Sequence, residues 1–468
     1  MPVFRFAIAL GALGLLAATT QAQTTTPAIS TIVAFYPSQP TGNLARGPDG
    51  ALYGTSAYTS TVAGGLVYRA TIDGSAVSTL YQLSPSNDAI SPSGGLILGS
   101  DGLLYGTTKF GRSSDSAGAG TVFKISPSGT GFTVIHRFAA VTTDANSVTT
   151  NSEGAYPDSE LVEGSDTYLY GVARAGGPGA TGSVFKVSRD GTDFKVLHTF
   201  DANTAAATTG QTVNTEGAFP VGQLVQGVDG FLYGSTSTGG ANGKGTVYRI
   251  AADGTGFQVL HTFSATTKNT TTNLDENDDG AVPLAGLIDG QDGFFYGTTS
   301  SGGTGRGLIY AIPADGSTFT TLYKFDGATG ATPTAELTLG SNGKLYGTTS
   351  SGGVNSSGAT VTLGTIFSMD RAGTNFTRLH SFDGSVGYSP VSKLIEIATG
   401  DLIGTVQAGA KCGSSYGAIY RWSDAGTTFE GSTKCGAKKN NGYGGGGGGP
   451  ALILLLGGLG CVRRRRVS

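Results

Sequence analysis

Apolar residues fall in short bursts along this chain, cut apart by Asp-Gly pairs and clusters of Gly, Ser and Thr. Residues 223–263 show the unit. Gln223-Leu224-Val225-Gln226 is a short apolar run, and Asp229-Gly230 marks a turn. Phe231–Thr236 reads as a second strand, followed by a glycine-rich loop from Gly239 to Gly245. Thr246-Val247-Tyr248-Arg249-Ile250 reads as a third strand, Asp253-Gly254 as another turn, and Phe257–Phe263 as a fourth strand. Asp-Gly between β-rich runs signals a hairpin, because glycine accepts positive φ without steric cost. The pattern predicts a four-stranded antiparallel meander, strands A to D, and the crowding of Thr, Ser and Gly argues against long helices.

The unit repeats. An apolar residue followed by Tyr-Gly occurs at Tyr53, Tyr105, Tyr170, Tyr233, Tyr296 and Tyr346, with a degenerate seventh copy at Leu402-Ile403-Gly404. The C strand recurs seven times, from Val67-Tyr68-Arg69 to Ile419-Tyr420-Arg421. The D strand follows only six of these, closing on Leu83, Phe138, Phe200, Phe263, Phe325 and Phe382. One four-stranded sheet cannot bury both faces, whereas copies stacked around an axis can. The expectation is an all-β, seven-bladed β-propeller. Its seventh blade lacks a D strand, and Thr31-Ile32-Val33-Ala34-Phe35, ahead of the first repeat, has that strand's pattern. The N-terminal strand is therefore expected to close the ring and remove an exposed edge.

Two phrases carry a family resemblance: Asp-Gly-x-Leu-Tyr-Gly-Thr-Thr at Asp101–Thr108 and Gly-Thr-Val-Phe-Lys at Gly120–Lys124. Over roughly residues 30 to 425 the chain resembles the GloVer-type tandem repeats of bacterial surface proteins with interchangeable C-terminal anchors. That resemblance implies no established activity.

The ends read as addresses. Arg5, the apolar run Phe6–Ala18 and Thr20-Gln21-Ala22 fit an export signal over residues 1–22. The repeat body then occupies 23–435, a glycine-rich linker 436–449, and a tail 450–468. The tail holds an apolar run, Ala451–Val462, too short to span a bilayer comfortably, and then Arg463–Arg466. With the six glycines Gly444–Gly449, it resembles the glycine-glycine C-terminal sorting signals of Gram-negative bacteria. This implies a sorting protease of the rhomboid type and membrane contact only through the tail. The expected location is the cell surface or the medium, after transient anchoring in the inner membrane. Without Arg5 and Arg463–Arg466 the body keeps 24 bases against 32 acids, a net charge of −8. That argues against nucleic acid as a partner. In an oxidising compartment Cys412 and Cys435 are expected to form a disulfide.

Most polar motifs are periodic and read as structural. His136, His198, His261 and His380 each stand two residues before the closing Phe of a D strand. The Asp-Gly pairs are turn residues, and the glycine clusters read as flexible loops. One segment, Asp275-Glu276-Asn277-Asp278-Asp279-Gly280, has the alternate-oxygen spacing of a calcium loop. It admits two readings: Asp275, Asn277 and Asp279 hold calcium, or the segment is a solvated acidic loop. No other cofactor is expected. Three extended blade-to-blade connections, near 139–158, 201–221 and 264–283, lie with the B–C loops on one face, where binding usually resides. The expectation is an exported scaffold that binds an unidentified ligand, a glycan or a protein, through that face and without catalysis. The alternative is a carbohydrate-active enzyme, which would need two carboxylates outside the repeat consensus in a pocket on that face. A third possibility is a structural component of the cell envelope.

Overall fold

The computed structural model describes residues 27–35, 39–56, 64–114, 118–145, 148–205, 212–355, 357–409 and 417–424. They form seven antiparallel sheets around one axis, with no helix among the described residues. Six blades run A to D in chain order, over 40–82, 97–137, 162–199, 218–262, 288–324 and 338–381. The seventh takes its inner strands from 388–423 and its outermost from Ala28–Ala34, which pairs antiparallel with Ala418–Ser423.

The closing strand is a true D strand, down to its irregularity. In blades 1 to 6 the C–D register shifts by one residue after the first apolar pair, leaving Leu80, Ile135, Leu197, Leu260, Leu322 and Leu379 opposite no partner. Between β-strand Ala28–Ala34 and Ala418–Ser423 the same shift leaves out Ile32, which is 1% exposed. A bulge at one register in all seven blades bends each outer strand alike.

The geometry explains the Leu-Tyr-Gly phrase. Each tyrosine lies under its own A–B turn and its hydroxyl donates to the turn aspartate, for example Tyr105 to Asp101 and Tyr170 to Asp166, both at 2.6 Å. In blade 6 the turn residue is Asn342, whose amide donates to the Tyr346 hydroxyl at 2.8 Å. The glycine makes room for the aromatic ring of strand C. A Cβ at Gly234 would stand 2.5 Å from the Tyr248 hydroxyl, and one at Gly106 2.7 Å from the Phe123 ring.

Seven apolar clusters fill the seven seams between blades. The seam between blades 7 and 1 joins Ile32, Val33 and Phe35 to Leu44, Leu52, Ile403 and Ile419. Towards the rim each D strand stacks a ring on a phenylalanine of the next blade. His136 lies 3.6 Å from Phe194, His198 3.7 Å from Phe257, His261 3.9 Å from Phe319, and Tyr81 and Tyr323 stack on Phe132 and Phe376. The histidines are thus seam residues. His380 has no such ring to stack on, because the next D strand, the closing one, carries Ile29 where those of blades 2 to 6 carry Phe.

The C-strand aromatic is Phe at 123, 185 and 367, but Tyr at 68, 248, 310 and 420, whose hydroxyls are buried without a hydrogen-bond partner. Burial pushes the Tyr248 phenol well above its ordinary range. An unpartnered buried hydroxyl costs about 1–3 kcal/mol. Tyr248→Phe should therefore leave stability unchanged or raise it by about 1 kcal/mol, as read by denaturant unfolding. A loss of that size would show that the hydroxyl has a partner.

The export signal, the glycine-rich linker, the C-terminal tail and both Cys412 and Cys435 lie outside the described residues. No helix among the described residues is long and apolar enough to cross a membrane.

Candidate ligand site at the mouth of the axial channel

A second phrase recurs in all seven blades: Pro, any residue, a small residue, a variable residue, then Leu. The copies begin at Pro40, Pro92, Pro157, Pro220, Pro283, Pro333 and Pro390. It opens strand A, the innermost of each blade. The small residues Gly42, Gly94, Ser159, Gly222, Ala285, Ala335 and Ser392 permit close approach at the axis. A Cβ at Gly42 would fall 2.5 Å from the Gly95 nitrogen, and one at Gly222 1.9 Å from the Gly286 nitrogen. Strand B hydroxyls lace adjacent blades there: Thr55 donates to the Gly94 carbonyl at 3.2 Å, Thr107 to Ser159 at 3.0 Å and Ser235 to Ala285 at 2.9 Å.

The variable position of this phrase is where the repeat symmetry breaks. Around the ring it reads Asn43, Gly95, Glu160, Gln223, Gly286, Glu336 and Lys393. Amide, glycine and glutamate come twice, and lysine completes the seven. The pairing follows that order. Asn43 Nδ2 donates to Glu160 Oε2 at 2.7 Å, two blades on, across Gly95. The backbone N–H of Gln223 donates to Glu336 Oε1 at 2.7 Å, two blades on, across Gly286. A Cβ at Gly286 would lie 2.7 Å from Glu336 Oε1, so a side chain there would displace the carboxylate. Asn43 Nδ2 also reaches Glu336 Oε2 at 3.4 Å, so one amide group bridges both carboxylates. Lys393 stands 4.0 Å from Glu336, which is only 5% exposed.

This polar ring separates two cavities. One of about 310 Å³ opens on the long-loop face and is lined by Asn43, Asp158, Glu160, Arg174, Gln223 and Glu336 among others. One of about 280 Å³ lies towards the tight-turn face, with Gln223 and Lys393 in its wall. Burial, reinforced by the Glu336 carboxylate, pushes the Glu160 carboxyl up to about 8. At neutral pH Glu160 therefore holds a proton, while Glu336 accepts hydrogen bonds from the Gln223 N–H and the Asn43 amide. The folded chain binds the Glu160 proton more tightly than the unfolded chain does. Stability should thus fall as pH rises from the ordinary carboxyl range to about 8, and level off above it. Glu160→Gln should flatten that decline and melt a few degrees above the parent at pH 9. Identical pH profiles would refute the coupling.

The mouth is strained. In blades 2 to 7 the residue before the proline is non-glycine with positive φ, at Ser91, Tyr156, Phe219, Val282, Thr332 and Ser389, all between 55° and 60°. Such a backbone is costly for bulky or β-branched residues and concentrates at functional sites.

The three extended connections fold back as two-stranded hairpins, Thr142–Thr143 with Thr149–Thr150, Thr204–Ala205 with Thr212–Val213, and Thr267–Lys268 with Asp275–Glu276. One knot ties the base of each. Asn151 makes four hydrogen bonds, to the Ala139 and Gly154 carbonyls and from the Gly154 and Gly177 N–H groups. Asn214 and Asn277 repeat the set in their own blades. The acid two residues on accepts the backbone N–H that enters the loop and meets the D-strand histidine, as Glu153 with His136, Glu216 with His198 and Asp279 with His261.

The candidate calcium residues fall within the third knot. Asn277 Oδ1 accepts two backbone N–H groups, Asp279 Oδ2 is shared by His261 and Ser264, and Asp275 lies 3.8 Å from Lys268. Among the described residues no group of three His, Cys, Asp or Glu side chains converges as a metal site would require. The C–D turn aspartates cap their turns, as Asp253 does by accepting the Thr255 N–H at 2.8 Å. The cluster Gly302–Gly307 is a hydrogen-bonded turn rather than a flexible loop: Gly305 and Gly307 both donate to the Gly302 carbonyl and Gly303 donates to Asn277.

The fold and the axial mouth define a seven-bladed propeller with a ligand-sized opening on its long-loop face. The chain belongs to the Gloeobacter/Verrucomicrobia repeat family, whose profile matches residues 39–274 and 209–363. Among solved structures it is similar to an oligogalacturonate lyase from Vibrio parahaemolyticus, at 12% identity and a TM-score of 0.48, covering 85% of this chain and 97% of that one. A chain of a nidogen–laminin complex matches at 15% identity and a TM-score of 0.37, over 67% and 88% of the two chains. A gluconolactonase from Xanthomonas campestris matches at 13% identity and a TM-score of 0.37, over 69% and 87%. These are likenesses of fold. No curated protein matches the sequence.

Proposed function

We propose that this protein is an exported binding propeller that takes a hydroxyl-rich ligand, a glycan, at the mouth of its axial channel. One observation carries this reading: the strand A register that departs from the repeat in nearly every blade is the one that lines the axial cavity. Turn aspartates, histidines and loop asparagines recur because they hold turns, seams and hairpin bases. Asn43, Glu160, Gln223 and Glu336 come from four different blades and supply donors and acceptors to the axial cavity. A few convergent polar groups in a formed concavity are what a small-ligand site needs. Export and surface display rest on the N-terminal apolar run and the glycine–arginine tail, and intact mass spectrometry of protein from the native host tests them. A mature species ending at Ser468 would discard the sorting step.

A second reading is favoured by the glutamate pair. Two carboxyl groups outside the repeat consensus face one cavity, and burial holds one of them protonated, which is the setting of an acid–base couple. A glycan array with the mature protein, followed by product analysis of every bound sugar, separates the two. Binding without turnover supports the scaffold. Turnover lost in both Glu160→Gln and Glu336→Gln establishes an enzyme. No binding to any glycan rejects both.

A further inference from the structure

The rim beside the axial mouth carries a charge pattern of its own. In blades 2 to 6 a residue at the end of strand B lies beside the strained residue of that blade's Pro phrase. In blades 4, 5 and 6 this is serine, whose hydroxyl donates to the strained residue's carbonyl: Ser237 to Phe219 at 3.1 Å, Ser300 to Val282 at 2.7 Å, Ser350 to Thr332 at 2.8 Å. In blades 2 and 3 it is Lys109 and Arg174, and only their backbone N–H groups make that contact, to Ser91 and Tyr156. The structural task of the side chain is given up and a cation stands at the rim instead.

Both cations border a cavity of about 450 Å³, lined with them by Phe110, Tyr156, Ala175 and Phe219. Phe110 is 36% exposed and meets Tyr156 edge to face at 5.4 Å. Lys109 Nζ lies 5.7 Å from the Phe110 ring centre. Among the described residues the acid paired with them is Asp158, 3.6 Å from Arg174, and its own burial raises its carboxyl above the ordinary range. Two cations therefore face one reluctant carboxylate, leaving surplus positive charge on a protein whose body is acidic. Arg174 also lines the axial cavity, so the two spaces share a wall.

We propose that this rim selects an acidic oligosaccharide: Lys109 and Arg174 hold the carboxylate of one sugar, the exposed ring of Phe110 takes a sugar face, and hydroxyls point inward to the glutamates of the axial ring. This rests on the glycan-binding reading above and adds the charge of the ligand. The inward carboxylates disfavour a ligand charged along its whole length, such as a nucleic acid. A chain with one carboxylate per ring, set apart from its hydroxyls, meets both zones.

Calorimetry with the full-length protein tests it, using galacturonate and glucuronate trimers against the neutral galactose and glucose trimers of the same linkages. An acidic trimer should bind at least tenfold more tightly than its neutral partner, and the gap should shrink as salt is raised. Lys109→Gln with Arg174→Gln, both outside the core, should abolish the gap by weakening the acidic trimer alone. Circular dichroism checks that this variant is folded, and Arg174→Lys should restore part of the preference. Equal binding of acidic and neutral trimers, or a gap untouched by the double variant, overturns the proposal and leaves the glycan reading intact. No binding of any trimer at millimolar concentration overturns both.

Discussion

A chain that begins after Phe35 should lose most of its stability, while one that begins at Pro27 should melt like the parent. The N-terminal segment buries Ile32, Val33 and Phe35, each at most 7% exposed, and among the described residues its strand is the only partner on the outer side of Ala418–Ser423. Burial of such side chains is worth about 1.5–3 kcal/mol each. Their loss amounts to roughly 5 kcal/mol or more, a large part of the ~5–15 kcal/mol by which domains are usually stable. The truncated chain should also expose an unpaired edge and associate at concentrations where the parent does not. Thermal melting with light scattering reads both effects. Hydrogen exchange locates them, because protection should vanish first along 418–423. Equal melting temperatures for the two chains would mean that the ring holds without its N-terminal strand.

Gly222→Ala should be the most damaging single methyl group in the molecule. Gly222 has φ +70°, and its added Cβ would meet the Gly286 nitrogen at 1.9 Å and the Gly286 Cα at 2.4 Å. Neither contact is a flexible side chain that can swing aside. A left-handed backbone costs a non-glycine residue about 1–2 kcal/mol, and overpacking adds about 1–3 kcal/mol, so a loss of about 3 kcal/mol is expected. Gly230 is the control. Its φ is +82° and nothing lies within 4 Å of the Cβ position, so Gly230→Ala pays the backbone term alone. Blades 4 and 5 meet at Gly222, and Gln223 next to it holds Glu336, so the variant should also weaken whatever binds the axial mouth. Equal denaturant midpoints for the two variants would show that the blades part easily at the axis.

The architecture was legible because a fold made of copies states its rules repeatedly. Tyr-Gly, Asp-Gly and the C-strand phrase gave the blade. The count of D strands gave the closure, and Ala28–Ala34 takes that place with the same bulge as the other six blades. The site was harder to read for the same reason. Attention to what repeats finds Tyr105 and His198, whose work is to hold a turn and a seam. The axial residues are found by asking which position inside a repeated phrase fails to repeat. Pro-x-small-x-Leu was present in all seven copies and carried that signal, yet its apolar frame reads as ordinary strand. The pairing of Asn43 with Glu160 joins residues 117 apart, and no local pattern announces it. The acidic segment at 275–280 shows the converse. Its ligand-like spacing comes partly from the Asn-x-acid-Gly knot that also ties the hairpins at Asn151 and Asn214.

Closure by the N-terminal strand also sets an order in time. Ala28–Ala34 leaves the ribosome long before its partner Ala418–Ser423 exists. Six blades can stack as they emerge, but the first must wait with one flank uncovered until nearly the whole chain has been made. Any message or protease that ends the chain before Ser423 leaves both ends of the stack open at once, so an incomplete copy is marked for removal by its own shape.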